Sequence, residues 1–203
     1  MKSIDAQKKL LELNQPIITT IDAAACLNFN ITTASKMLER LANSRIITKI
    51  KRGLWAISNN IDPLIIPEYI TSPLPCYISL QTALFYHGIM EQIPETIYVI
   101  SLSRTKKYHT PFGHISIHHV NADFFFGFDI IENTYIKLAS PEKALLDFLY
   151  LYPTKSYLFK ALPELEIPKN FNKQLAFTML DKITPTSRKI MVKKQLINIL
   201  GTC

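Results

Sequence analysis

The sequence contains little glycine and cysteine, and it has no long uncharged apolar run. Five glycines in 203 residues, with 48% hydrophobic and 19% charged residues, exclude a disordered or low-complexity chain. Three widely spaced cysteines form neither a disulfide framework nor a zinc site. No apolar run approaches the roughly 18 residues of a membrane helix, and the first residues lack the apolar segment of a signal peptide. These absences predict a cytoplasmic protein with reduced thiols.

Positive charge is concentrated at the two ends of the chain. The total is +7, from 23 basic and 16 acidic residues. Residues 1–60 have a net charge of +5, residues 61–153 a net charge of −4, and residues 154–203 a net charge of +6. A basic balance indicates an anionic partner, and this division predicts separate basic surfaces around an acidic middle.

Breaks in regular structure divide the chain near residue 60. Asn59-Asn60 and Asp62-Pro63 interrupt helices and strands, and three further prolines precede residue 76. We expect a first domain over 1–60 and a second over 61–203, with an irregular linker at 62–76 and a mainly helical basic extension at 154–203. The expected fold class is α+β: an N-terminal winged helix-turn-helix followed by a mixed α/β domain with a helical C-terminal part.

The first sixty residues have the element order of a winged helix-turn-helix. Apolar periodicity predicts a first helix over 3–13, capped by Ser3, with an apolar stripe of Ile4, Leu10, Leu11 and Leu13. A short extended piece at 17–18 precedes a second helix, which is capped by Thr20 and ends near residue 27.

The third helix and the hairpin complete this unit. The helix is predicted from Thr32 or Thr33 to about residue 42, and its apolar positions recur at helical spacing: Ala34, Met37, Leu38 and Leu41. Two β-rich runs flank Lys51-Arg52-Gly53, which predicts a tight hairpin with a basic tip. Trp55 is expected in the core under the hairpin.

The outer face of the third helix and the hairpin tip are basic together, which favours a nucleic-acid partner. A polar, basic helix fits the major groove, and a basic hairpin can reach phosphates or the minor groove. The predicted base contacts are Thr32, Thr33, Ser35 and Lys36, and the predicted phosphate contacts are Arg40, Lys49, Lys51 and Arg52. The alternatives are a winged helix that docks onto protein and a solvated basic turn.

The second domain is predicted to mix helices and strands. Strands are expected at 96–102 and 114–120, a hairpin at 129–139, and helices at 80–87, 142–152, 170–183 and 185–200. Ser79 and Ser140 are the expected caps of the first two helices. The aromatic run 124–128 is expected in the core.

Four segments of the chain together form a recognisable pattern. They are Lys51-Arg52-Gly53-Leu54-Trp55-Ala56, Tyr77-Ile78-Ser79-Leu80-Gln81-Thr82-Ala83-Leu84 followed by His87-Gly88, Pro94-Glu95-Thr96-Ile97, and Ala139-Ser140-Pro141-Glu142-Lys143-Ala144-Leu145-Leu146-Asp147. In this order they resemble the AbiE-type abortive-infection antitoxins, the AbiEi-like family. One departure is Thr82, where a second serine is common. The resemblance implies a winged helix that represses its own operon by binding operator DNA. It also implies a C-terminal domain that counters a nucleotidyltransferase-like toxin in a type IV toxin–antitoxin system, without requiring a tight toxin complex.

The sequence gives little support to an enzyme. Ser79 and His87 lie at opposite ends of one short helix, too far apart for a hydrogen bond, so structural roles are favoured. The histidines at 109, 114, 118 and 119 are expected to be exposed on strands, and their spacing does not suit one metal ion. We therefore expect no catalytic residue, cofactor or metal. The alternative is a nucleic-acid-directed enzyme with a site near Ser79 and Glu142.

A second nucleic-acid surface is a further alternative to solvated basic faces. Its candidates come from the loop after the buried strand and from the last helix: Arg104, Lys106, Lys107, Arg188, Lys189, Lys193 and Lys194.

Overall fold

The computed structural model describes residues 1–58, 60–132, 134–152, 164–184 and 186–201. Within these ranges the chain forms eight α-helices and nine strands in two sheets, which confirms the predicted α+β class. The chain divides into two compact units, Met1–Ile70 with His109–Gly113, and Thr71–Tyr108 with His114–Cys203. The first unit therefore continues past the predicted boundary at residue 60. Residues 154–163, the first ten of the basic extension predicted at 154–203, lie outside the described residues.

The first unit has the element order of a winged helix. Its elements are α1 (Ser3–Leu11), β1 (Ile17–Thr19), α2 (Thr20–Leu27), α3 (Ile31–Asn43), β2 (Thr48–Lys51), β3 (Leu54–Ala56) and α4 (Ile66–Thr71), whose last residue belongs to the second unit. The three strands form an antiparallel sheet in the order β1-β3-β2. The core contains the four predicted positions of α3 together with Leu10, Leu27 and Trp55.

The helix α4 occupies much of the segment 62–76 that was predicted from the prolines to be an irregular linker, and only Asp62 and residues 72–75 remain irregular. A 3-10 turn at Pro63–Ile65 leads directly into it, and the Asp62 side chain accepts a hydrogen bond from Leu64 N. Pro63 and Pro67 both lie in the first turn of their helices, where the missing N–H has no intrahelical partner to lose. Proline at these positions starts a helix instead of interrupting one.

Two predicted caps in this unit are wrong, and the predicted apolar stripe of α1 is confirmed at Leu10 but wrong at Ile4 and Leu11. Thr19, not Thr20, caps α2, and it forms a reciprocal capping box with Asp22. Ser3 lies inside α1, whose core-facing positions are Ala6 and Leu10. Ile4 and Leu11 are exposed because the buried stripe of this nine-residue helix runs through an i, i+4 pair on its other side.

Thr20 has a different role, because its hydroxyl accepts a hydrogen bond from the buried indole of Trp55. The distance from Trp55 Nε1 to Thr20 Oγ1 is 2.9 Å, and Trp55 is 1% exposed. This bond joins the start of α2 to the middle of β3 and satisfies the indole donor.

Changing Thr20→Val should lower the free energy of unfolding of the first unit by about 1–3 kcal/mol, since the buried indole N–H then lacks its acceptor. Trp55 is the single tryptophan, so its fluorescence during chemical denaturation reports this unit. The exposed Thr33→Val change is the matched control and should have a much smaller effect. Equal unfolding midpoints for the two variants would contradict this role of Thr20.

The second unit is a mixed sheet covered by helices. Its strands are β4 (Cys76–Ile78), β5 (Thr96–Ser101), β6 (Lys106–Thr110), β7 (Gly113–His119), β8 (Phe128–Ile130) and β9 (Lys137–Ala139), in the order β6-β7-β5-β4-β9-β8. His109 and Thr110 of β6 and Gly113 of β7 belong to the first unit. Its helices are α5 (Leu80–Tyr86), α6 (Pro141–Leu151), α7 (Lys173–Met179) and α8 (Thr186–Leu200). Parallel pairs β5–β7 and β4–β9 alternate with antiparallel pairs β4–β5 and β8–β9.

The helix α6 is the centre of this unit's core. Ser140 caps it by accepting a hydrogen bond from Lys143 N, as predicted, and all but two of its eleven residues are buried. It packs against α5, α7 and α8, and the predicted core position of Phe124 is confirmed. In α8 the buried stripe is Val192, Leu196 and Leu200, whereas Ile190 is exposed.

The prediction that the strand histidines are exposed is wrong for His118, which is only 4% exposed. It lies on β7, where the consecutive residues Ile115, Ser116, Ile117 and His118 are all buried, so both of the strand's faces are covered. Its Nε2 is 3.0 Å from the hydroxyl oxygen of Ser116. Burial, with a smaller contribution from the nearby Lys107 ammonium, lowers the pKa of His118 from 6.5 to about 4.

This lowered pKa makes the stability of the second unit depend on pH. In the unfolded state His118 takes up a proton near pH 6.5, whereas in the folded state it does so only near pH 4. The free energy of unfolding therefore falls as the pH decreases from about 6.5 to about 4. The loss should be on the order of 3 kcal/mol. Denaturation followed by circular dichroism at several pH values measures it. His118→Gln should remove this part of the dependence, and the exposed His114→Gln control should retain it.

Candidate nucleic-acid interface

The outer face of α3 is a shallow concave surface of polar and basic side chains. Asn30 caps the helix by accepting a hydrogen bond from Thr33 N at 2.8 Å, which fixes the direction of the first turn. The surface is lined by Ile31, Thr32, Ser35, Lys36, Glu39, Arg40 and Asn43. Thr32, Thr33, Lys36 and Arg40 are exposed, and Ser35 is half-buried. Five predicted DNA-contacting residues therefore lie on the solvent side of one helix.

The hairpin between β2 and β3 ends in a tight turn at Arg52 and Gly53. Lys51 and Leu54 are paired across it, and Gly53 has a φ of +80°, a conformation that other residues rarely adopt. Arg52 is exposed at the tip. Lys51 is half-buried, and its ammonium donates to the carbonyl of Ile70 at 3.3 Å. Arg52 is thus the more accessible of the two predicted phosphate contacts here.

Lys49 is exposed on β2 but is held in place by other residues. Its ammonium is 2.5 Å from Glu39 Oε1 and 5.2 Å from the ring centre of Trp55. The sequence did not lead us to expect this ion pair between Glu39 on α3 and Lys49. A signal was nevertheless available, because an acidic residue stands out on a helix face that is otherwise neutral or basic.

The residues of the predicted second nucleic-acid surface lie on separate elements of the second unit. Arg104, Lys106 and Lys107 are exposed at or before the edge strand β6, and the Lys106 ammonium lies 5.0 Å from the ring centre of Tyr108. On α8, Lys193 and Lys194 are exposed. Arg188 instead donates to the carbonyl of Tyr150, and Lys189 pairs with Asp181. Some of these cations are therefore accessible to a ligand, whereas Arg188 and Lys189 already bind partners within the chain.

Ser79 and Glu142, the residues of the alternative enzyme site, are buried in structural contacts. Ser79 was predicted to cap α5, but this prediction is wrong. Its hydroxyl instead donates to Asp147 Oδ2 at 2.7 Å. Tyr77 OH donates to the same oxygen at 3.0 Å, and Lys143 forms a buried ion pair with Oδ1. Glu142 accepts a hydrogen bond from Asn172 N at 2.9 Å and so anchors the start of α7.

We call Tyr77, Ser79, Lys143 and Asp147 the buried polar network. None of its members is more than 1% exposed. The Lys143 ammonium lies over the rings of Phe124 and Phe126. Burial raises the pKa of Asp147, and the bonds from its three partners oppose that rise. Burial also lowers the pKa of Lys143 and raises that of Tyr77. With every member buried in mutual contact, this arrangement is suited to holding β4 against α6.

His87 also has a structural contact. Its Nε2 lies 2.7 Å from the carbonyl oxygen of Ala139, at the end of β9. In the described part of the chain, no three histidine, cysteine or acidic side chains are grouped as metal ligands would be. None of the helices in the described residues combines the length and apolar character needed to cross a membrane.

No protein-family model and no curated protein matches the chain. A function can therefore be proposed only from the residues and the structure described above.

Proposed function

We propose that the protein is a DNA-binding repressor and the antitoxin of a type IV, AbiE-like toxin–antitoxin system. The first unit would bind operator DNA through α3 and the hairpin tip. The second unit would counter a nucleotidyltransferase-like toxin. In this proposal the protein acts by binding and not by catalysis.

The observation that carries the proposal is the solvent-facing side of α3 in a winged helix. A helix whose outer side offers threonine and serine hydroxyls, Lys36 and Arg40 matches the donors that read base edges and phosphates in the major groove. The exposed Arg52 at a tight hairpin turn is suited to a flanking phosphate or to the minor groove. A winged helix that docks onto protein would not need two cationic sites next to a polar helix face.

The antitoxin part of the proposal is supported by where the resembling segments meet. Tyr77 and Ser79 come from one segment, and Lys143 and Asp147 come from another about seventy residues later. Their contacts join the two segments in the core of the second unit. The buried state of Ser79 and Glu142 favours this reading over an enzyme site at these residues.

Footprinting on the DNA upstream of the protein's own reading frame tests the repressor role. The proposal expects protection of a discrete site, with contacts in the major groove and at adjacent phosphates. Protection spread evenly over the fragment, or none, would count against it.

Co-expression with the neighbouring reading frame tests the antitoxin role. We expect that frame alone to arrest growth and this protein to restore it. A variant with Lys36→Ala and Arg52→Ala should lose repression but still protect, because the substitutions lie in the first unit. Persistent toxicity in the presence of the unaltered protein, or a harmless neighbour, would refute the antitoxin role.

A further inference from the structure

Lys49 is held from two sides at the base of the hairpin. Glu39 on α3 provides a carboxylate on one side, and the indole of Trp55, its partner across the β2–β3 pair, lies on the other. The side chains of Lys49 and Glu39 are 43% and 45% exposed, so solvent and an incoming ligand can reach both. An ion pair at this exposure contributes little to stability, and opening it is inexpensive.

Glu39 is also part of the concave face of α3. It is the acidic member of a lining that otherwise contains Ser35, Lys36, Arg40 and neutral residues. A carboxylate at this position repels phosphate oxygens, and it accepts hydrogen bonds from base amino groups such as cytosine N4. A base that offers such a group could therefore replace the Lys49 ammonium on Glu39.

We propose that Glu39 is a specificity-determining residue, and this inference rests on the proposed DNA-binding function. In the free protein, Glu39 neutralises Lys49. On arbitrary DNA the pair stays closed, so Lys49 does not contact phosphate. On the operator a base amino group takes the place of the ammonium, and Lys49 is released to a phosphate. The protein thus adds one phosphate contact only where the sequence is correct.

The test compares two duplexes, the upstream fragment that carries the operator and a scrambled fragment of the same composition. At about 0.1 M salt one phosphate contact changes affinity by about eightfold. Lys49→Gln should therefore weaken operator binding about eightfold, and it should weaken scrambled-duplex binding much less, because there only the weak repulsion from the unpaired Glu39 is added. Glu39→Gln should strengthen scrambled-duplex binding about fivefold to tenfold and change operator binding less than threefold. Glu12→Gln, an exposed charge change on the residue after α1, is the matched control and should affect neither.

The fluorescence of Trp55 provides an independent readout, because the Lys49 ammonium lies near its ring. Emission should change when the operator is added and should not change with the scrambled duplex. In Lys49→Gln neither duplex should change it. The denaturation midpoint of each variant verifies that it is folded.

The outcomes separate this inference from the function on which it rests. If the unaltered protein binds the operator but Lys49→Gln weakens both duplexes equally, Glu39 has no role in discrimination. Equal strengthening of both duplexes by Glu39→Gln would also overturn the inference. If the unaltered protein does not prefer its upstream fragment at all, the proposed function itself is refuted.

Discussion

Replacing Asp147 by asparagine should lower the free energy of unfolding of the second unit by about 3–5 kcal/mol. Asp147 is fully buried, accepts hydrogen bonds from Tyr77 and Ser79, and forms an ion pair with Lys143. The asparagine has a similar size but no charge. The Lys143 ammonium would then remain buried without a counterion, or it would have to lose its proton, and either costs stability.

A double change separates the charge effect from packing. In Lys143→Met with Asp147→Asn the buried ammonium is also removed, and stability should return most of the way to that of the unaltered protein. The control pair is Lys189 with Asp181, which lies at the surface of the same unit, so Asp181→Asn should have little effect. Circular dichroism during denaturation and hydrogen exchange of α6 measure the changes. Equal costs for Asp147→Asn and Asp181→Asn would show that the buried polar network does not hold this core together.

The second large effect is expected from removing two accessible cations of the candidate interface, one on α3 and one at the hairpin tip. With Lys36→Ala and Arg52→Ala, affinity for operator DNA at about 0.1 M salt should fall about fortyfold or more, since a base contact and a phosphate contact are lost. The slope of log affinity against log salt should become shallower by about one, from the lost phosphate contact. Lys51 is left unaltered because it donates to the carbonyl of Ile70.

The matched control for this experiment is Lys8→Ala with Lys9→Ala. Both lysines are exposed on α1, so this variant loses the same net charge from the same unit. Its affinity and salt slope should remain close to those of the unaltered protein. If both double variants weaken binding equally, the effect depends on total charge, and the assignment of the interface to α3 and the hairpin tip fails.

Local patterns in the sequence were sufficient to predict much of the first unit. The apolar spacing in α3 identified its four core residues, and the glycine after two cations identified the hairpin turn. These features depend on neighbours within a few residues. The same local reasoning placed one cap a residue too late, because Thr19 and Thr20 are chemically equivalent and only the contact with Trp55 separates their roles.

The buried polar network could not be predicted from local patterns. Its partners are 68 and 70 residues apart, and a serine before a helix normally indicates a cap. In the folded unit the buried carboxylate of Asp147 requires donors, so the Ser79 hydroxyl is used there and not at the helix end. His118 was misjudged for a related reason, since an alternating pattern does not reveal that both faces of β7 are covered.

The central claim is that this winged helix binds DNA with sequence preference, and a salt titration of binding tests it most directly. The unaltered protein is titrated with its upstream duplex and with the scrambled duplex over a range of salt concentrations. We predict tighter binding to the upstream duplex at every concentration, with a linear decrease of log affinity with log salt for both. Equal affinities for the two duplexes, or binding to neither, would contradict the account.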